Sequence, residues 1–490
     1  MTRVVVLGRD AALWLAAGVI QKALQASGIT VTAVEMASAL GPADACTTLP
    51  PLEALHNQLR VDEAVLIRTT RGGFTLGQNF ADASGATPAF LHAYGSAGTA
   101  IDGKDFFAYW LKARRFGLPA GLEDFSLTAA AARHGRLMLP DDESEIYGRC
   151  DYGYHLPAQA YVRSLRALAI YHGVTVHAAE GADAILDPET GAITALQLDG
   201  GRIEGDLFID ATGPRGELIA ALGVRRESWR AYFPADRMLA AAGPRLAAIP
   251  VYAEVRASET GWTGLFPTQA QTHVTHAYAS ALTSDEEAFR AATAAGGIAL
   301  TGAGVRASDP GRRALAWERN CIAIGEAACA FDPVHGVDLH AIQLGLVHLL
   351  ACFPASRNFA AERAEYNRVI HSAFERIRDF QSAHYVLNRY GRSPFWTRAL
   401  QAQVSPDLAH RIATFAARGD VAPMEDESFS PDSWRALLIG HGLIPDSYLP
   451  TADRTPPEQM KAQFQRMLGF VKQQVLKQPT HDAYLAELDG

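Results

Sequence analysis

The first 36 residues change hydrophobic period twice. Val4-Val5-Val6-Leu7 is an unbroken apolar run that stops at Gly8, as in a strand buried on both faces. Residues 10–24, DAALWLAAGVIQKAL, are rich in Ala and Leu and predict a helix. A second apolar stretch, 29–34, predicts a strand that ends at Glu35. Strand, turn, helix, strand is the start of a parallel βαβ unit. The pattern returns further along the chain. Residues 191–219 predict a hairpin turning at Asp199-Gly200-Gly201, then a buried strand ending in Ala211-Thr212-Gly213. Residues 317–350 predict a strand near 321–324, a Gly325-Glu326-Ala327 turn, a loop and a helix. Such pieces, far apart in sequence, predict an α/β fold with one doubly wound, Rossmann-like domain carrying long insertions.

The expected division is a discontinuous box domain over 1–350, with insertions at about 60–150 and 225–310, and a mostly helical module over 351–490. Residues 359–390 carry apolar positions at helical spacing, 420–432 read as a loop, and 455–488 read as an amphipathic helix pair.

Composition narrows the function. With 490 residues and 48% hydrophobic positions the chain supports more than one core. A net charge of -9 and no run of Lys and Arg argue against nucleic acid. No stretch approaches the roughly 20 apolar residues of a membrane span. Five scattered cysteines without CxxC spacing, and an N-terminus without a signal-peptide pattern, fit a cytoplasmic protein.

Candidate chemistry begins at the first turn. A dinucleotide fingerprint, GxGxxG, needs its second glycine for backbone approach to the pyrophosphate and its third for helix–strand packing. Only Gly8 is present; Asp10 and Leu13 hold the other two places. Asp10 either faces a phosphate, with Arg9 offsetting part of its charge, or caps a helix that receives none. Glu35 is placed either to accept hydrogen bonds from a ribose or to stand as a solvated strand-end acid. His335, Asp338 and His340 form H-x2-D-x-H, residue types that suit a first-row metal or a His–Asp proton relay. No metal is assigned to them. The aromatic stripe Phe106, Phe107, Tyr109 and Trp110 is read as core in preference to a ligand cage.

Several longer segments, in order, resemble the flavin-dependent tryptophan halogenase family. Residues 152–174, YGYHLPAQAYVRSLRALAIYHGV, resemble its aromatic–His segment and following helix. GRIEGDLFIDATGPRGELI is similar to its ADLFIDCSGFRGLLI signature. Residues 376–396 resemble its RDFxxxHYxLNxRxDTPFW stretch, and 429–448 its tail block. The resemblance implies a flavin-binding box beside a mostly helical substrate module. It also implies halogenation of an aromatic such as tryptophan or indole by reduced FAD, oxygen and halide. A separate reductase supplies the flavin, and a catalytic lysine and a glutamate act at the substrate.

The same alignment shows departures. The family's GGGTAGW turn matches Gly8 to Trp14, and its GxGEATxP strap matches Ala43 to Pro50, with Cys46 in place of the acid. Thr75 stands where ASYKVAIKF has the catalytic lysine, and a threonine hydroxyl cannot carry a haloamine. His335 stands at the glutamate position of EPLESTGIYF, and Asp338 at a glycine whose amide helps hold the halide. WxWxIP survives in part as Trp262 to Pro267. If FAD binds, the resemblance places Gly8, Asp10, Ala11, Ala12, Glu35, Glu326 and Leu339 against it, and Val337 and Asp338 at an impaired halide site. Whether the chain is an enzyme stays open at this point. The leading expectation is lost or severely weakened halogenation, with a binding or subunit role. The partner would be an aromatic small molecule or peptide, or an active relative; a homodimer is not excluded. The alternative is a working FAD-dependent halogenase or monooxygenase with a rearranged site.

Overall fold

The computed structural model describes residues 2–141, 148–354, 356 and 358–489. The chain divides into two compact units. Unit 1 comprises Met1–Gly72, Leu156–Ala231 and Arg306–Arg378; unit 2 comprises Gly73–His155, Tyr232–Val305 and Asp379–Gly490.

Unit 1 is built on a six-stranded sheet of β1 (Arg3–Gly8), β2 (Thr30–Glu35), β3 (Thr175–Ala178), β4 (Leu207–Ala211), β5 (Trp317–Glu318) and β6 (Cys321–Ala323). The order is β5-β6-β4-β1-β2-β3. Only the β5–β6 pair is antiparallel. From β1 the chain winds outward to β2 and β3 on one side and to β4 and β6 on the other, with β5 paired back at the edge, the doubly wound arrangement that the βαβ pattern predicts. Such sheets bind ligands beyond the carboxyl ends of their strands, where the winding reverses.

The helix α1 (Asp10–Leu24) is buried almost all round, with Leu13 to Gln21 out of solvent. That burial explains a composition apolar on every face. Gly8 is fixed by packing. A Cβ there would fall 2.3 Å from the Ala211 carbonyl oxygen on β4. The one surviving fingerprint glycine is therefore required by the β1–β4 approach whether or not a phosphate is bound. The helix α2 (Asp338–Ala351) follows the 332–337 loop and packs on α1.

Unit 2 contains a seven-stranded, mostly antiparallel sheet. Its strands lie in the order Thr301–Ala307, Arg237–Pro244, Gln271–Tyr278, Gly261–Pro267, Ala253–Ser258, Gly77–Asp82, Phe90–Ala93. The helix Asp285–Gly296, closed by a Ser284/Glu287 capping box, packs on Leu239, Ala241, Leu265, Val274 and Tyr278. The helix Pro431–Gly440 lies against the edge strand Phe90–Ala93. Phe106, Phe107, Tyr109 and Trp110 are all buried, so the aromatic stripe belongs to the core. Among the described residues no helix is long and apolar enough to cross a membrane.

Candidate functional site

The turn between β1 and α1 lies at the switch point of the unit 1 sheet. Asp10 has φ 57°, a left-handed conformation that glycine adopts freely and Asp adopts at a cost. Asp10 does not cap the helix. Arg9 is the N-cap residue, and it makes no side-chain cap. The Asp10 carboxylate instead crosses to the segment after β2. It accepts from the Ser38 hydroxyl at 2.5 Å and from the Ala39 N–H at 3.1 Å. Arg9 does not neutralise it either. Its guanidinium lies 3.8 Å from Glu217 and 3.6 Å from the Met36 sulfur.

Glu35 ends β2 directly opposite Gly8. Arg166 Nε donates to both Glu35 carboxylate oxygens at 3.2 Å, with its guanidinium over the Trp14 ring. Glu35 is therefore an ion-paired acid, not a free one. It lines a cavity of about 760 Å³ together with Ser38, His177, Glu180, Asp199 and Arg202.

More acids surround the carboxyl ends of β1 and β6. Asp44 accepts from Arg306 Nη1 at 2.9 Å and from the Gly41 N–H at 2.8 Å. Cys46 is pushed up to about 12 by burial, then by the charges of Asp338, Asp44 and Asp10, with Arg306 opposing. It is a protonated thiol and no nucleophile. Glu326 is pushed up to about 7 by crowding from protein atoms, then by Asp338; Arg306 opposes, Asp10 adds, and Arg226 opposes. Asp338 is raised by the same crowding and lowered by Arg306. Both Glu326 and Asp338 keep solvent-accessible surface. Four carboxylates, Asp10, Asp44, Glu326 and Asp338, thus share one electrostatic neighbourhood.

The remaining predicted positions are less exposed. Val337, Leu339, His335 and His340 are buried, and burial lowers His340 to about 4. His340 is therefore neutral at ordinary pH. Among the described residues no group of three or more His, Cys, Asp or Glu side chains is placed to hold a metal ion. Gly336, at φ 56°, lies against Thr47, whose hydroxyl donates to the Gly336 carbonyl at 3.0 Å. That bond joins the 43–50 strap to the 332–340 loop. Within unit 2, Thr75 lies on the strand Gly73–Thr75, paired with Gly153. Its side chain is buried, and its hydroxyl donates to the Gly77 carbonyl at 3.0 Å.

Sequence reading missed Asp210 at the end of β4. It is fully buried and accepts from the Thr212 N–H and hydroxyl and from the Leu218 and Ile219 N–H groups, at 2.7–3.1 Å. Burial raises its carboxyl, and those hydrogen bonds oppose the rise. The signal lay in IDATG: an acid in an otherwise apolar strand needs partners, and the following helix start supplies them.

The sequence profile described as Tryptophan halogenase matches residues 3–457. The chain belongs to the tryptophan halogenase family. It is similar to the tryptophan 6-halogenase ThaL of Streptomyces albogriseolus, 25% identical over 92% of each chain. It is also similar to the tryptophan 7-halogenase RebH of Lentzea aerocolonigenes, 23% identical over 96% of this chain and 94% of the other. Among solved structures it is similar to BrvH, a flavin-dependent halogenase from Brevundimonas sp. BAL3. That match has 31% identity and a TM-score of 0.92, and covers 100% of this chain and 99% of the other.

Membership of this family implies FAD, and the residues at the turn can be tested against it. The helix α1 N-terminus and the Glu35 cavity keep the layout of a dinucleotide site. The donor set does not suit a pyrophosphate. The Asp10 carboxylate, where the sequence resemblance places a phosphate-facing glycine, bridges the turn to Ser38 and Ala39. Arg9 is turned to Glu217 and Arg306 is paired with Asp44, while Glu326 and Asp338 are carboxyl groups raised by burial. As it stands, the turn does not fit the phosphates of FAD.

Proposed function

We propose that this member of the tryptophan halogenase family has lost or severely weakened halogenation and acts in the cytoplasm through binding, as a ligand-binding or partner subunit. The reading is supported by the gathering of Asp10, Asp44, Glu326 and Asp338 at positions that the family resemblance assigns to pyrophosphate, reduced flavin and halide, all anionic. An anion there would face the Asp10 carboxylate, with Arg9 and Arg306 already paired to Glu217 and Asp44. Thr75 supports the same reading, because its buried hydroxyl is bonded to its own turn in the place of the family's lysine.

The test is a turnover assay with purified chain, FAD, a flavin reductase with NADH, oxygen, chloride or bromide, and tryptophan. No halogenated product by mass spectrometry, beside an active relative run in parallel, is the expected result. Steady halogenation would overturn the proposal. The second reading, a working halogenase or monooxygenase on an aromatic substrate with a rearranged flavin site, is supported by the cavity beside Glu35. Tight binding of reduced FAD would favour it.

A further inference from the structure

Unit 2 holds a cavity of about 550 Å³, a size suited to a small ligand. Its floor is the edge strand Phe90–Ala93, and its walls come from Trp110, Leu122 and the helix Pro431–Gly440. The aromatic faces there are already covered. Trp110 stacks on Phe107 at 5.6 Å and carries the Arg114 guanidinium at 5.7 Å. Phe90 stacks on Phe80 at 5.2 Å, and Gly440 lies so close that a Cβ there would fall 2.2 Å from its ring. The surface offered to a ligand is therefore mainly aliphatic: Leu91, Ala93, Leu122, Ala436 and Ile439, with exposed Ile444 among the lining residues.

The charges around this cavity are asymmetric. Its acids are engaged. Glu123 pairs with Arg133 and accepts from the Leu91 N–H, Asp432 pairs with Arg435, and Asp124 accepts from the Gly121 N–H. Its two arginines have no carboxylate partner among the described residues. Arg114 donates only to the Leu118 and Pro119 carbonyls. Arg389 is exposed and rests against Gly442, where a Cβ would fall 2.0 Å from its Nη1. An aliphatic wall beside two guanidinium groups that lack a carboxylate partner suits an apolar tail ending in an anion.

We infer that this cavity binds an apolar monocarboxylic acid, its chain along Leu91, Leu122 and Ile439 and its carboxylate on Arg389 and Arg114. The site uses no residue of unit 1, so it stands or falls independently of the flavin reading. Isothermal calorimetry on the full chain tests it with three probes of equal length: octanoate, octanol and octylamine. Octanoate is expected to bind one to one, about tenfold tighter than octanol, the size of one exposed charge-assisted hydrogen bond; octylamine binds weakest. Arg389→Ala should bring octanoate down to the level of octanol. Ala436→Trp should abolish binding of all three while the circular dichroism spectrum stays unchanged. If Ala436→Trp fails to fold, Arg389→Ala decides alone. Equal affinity for octanoate and octanol, or octanoate binding untouched by Arg389→Ala, would overturn the inference.

Discussion

Replacing Asp10 by glycine restores the residue that the turn geometry favours. The folded chain gains and loses comparable amounts. A non-glycine residue at φ 57° costs about 1 kcal/mol, and Asp10→Gly removes that cost. It also removes two half-exposed hydrogen bonds from Ser38 and Ala39, worth about 1 kcal/mol in sum at such a site. Stability should therefore change little. FAD binding should change much more. With a carboxylate about 6 Å from each phosphate and an effective dielectric of about 40, each charge pair repels by about 1.4 kcal/mol. Two phosphate charges make that about 3 kcal/mol, or about a hundredfold in affinity. The assay is a calorimetric titration of parent and Asp10→Gly with oxidised FAD at 50 mM and 300 mM salt. The parent should bind weakly and better at high salt, since screening weakens the repulsion. The variant should bind far more tightly and lose that salt response. A parent that binds FAD at low micromolar concentration, with Asp10→Gly within threefold of it, would refute the electrostatic reasoning.

Further outcomes follow from single contacts. Gly8→Ala should abolish soluble folded protein, because its Cβ would lie 2.3 Å from a backbone oxygen that cannot move without separating β1 from β4; expression and thermal unfolding report it. Asp210→Ala strands the Leu218 and Ile219 N–H groups in the core and should cost about 3 kcal/mol in urea unfolding. Glu326, raised from 4.5 to about 7, makes the folded chain bind a proton more tightly than the unfolded chain between those values. Its contribution to stability is therefore full below about pH 4.5 and lost as pH rises through about 7. Glu326→Gln should flatten that part of the pH profile, and an unchanged profile would contradict the assignment. Thr75→Lys should give no halogenated tryptophan by itself, because the turn still disfavours flavin; mass spectrometry of a coupled reaction checks it.

The scaffold was legible because it rests on local patterns. The run Val4 to Leu7 needed burial on both faces, and β1 lies in the middle of a parallel sheet. The Asp199-Gly200-Gly201 turn gave its hairpin, with Leu198 opposite Gly201. The long in-order resemblances gave the family. The site was less legible because its partners are distant in sequence. Asp44 meets Arg306 across 262 positions. Asp10 reaches Ser38, and Arg166 reaches Glu35, only once the sheet has formed. Periodicity specifies which face of an element is buried. It carries no information about where a polar side chain at the end of a strand finds its counter-charge.

That division explains how a fold can remain while the residues serving its ligand change. Gly8 is held by the Ala211 carbonyl, and α1 by its own burial; neither contact involves a phosphate. Asp210 ties β4 to the helix that follows it through the Leu218 and Ile219 N–H groups, and two further bonds from Thr212 hold its carboxylate. Each would impose the same residue on an apo protein, so packing alone preserves the sequences that mark the family. The positions that the family resemblance assigns to the ligand behave differently. Thr75 closes on its own turn, Asp10 bridges to Ser38, and Asp338 and Glu326 keep solvent-accessible surface. Substitution at the exposed ones, Asp338 and Glu326, costs the fold little. The proposed loss of halogenation predicts this division, with change concentrated at the second kind of position while the first kind stays intact. Asp10→Gly separates the two demands experimentally, since it should leave unfolding almost unmoved while shifting flavin affinity by about a hundredfold.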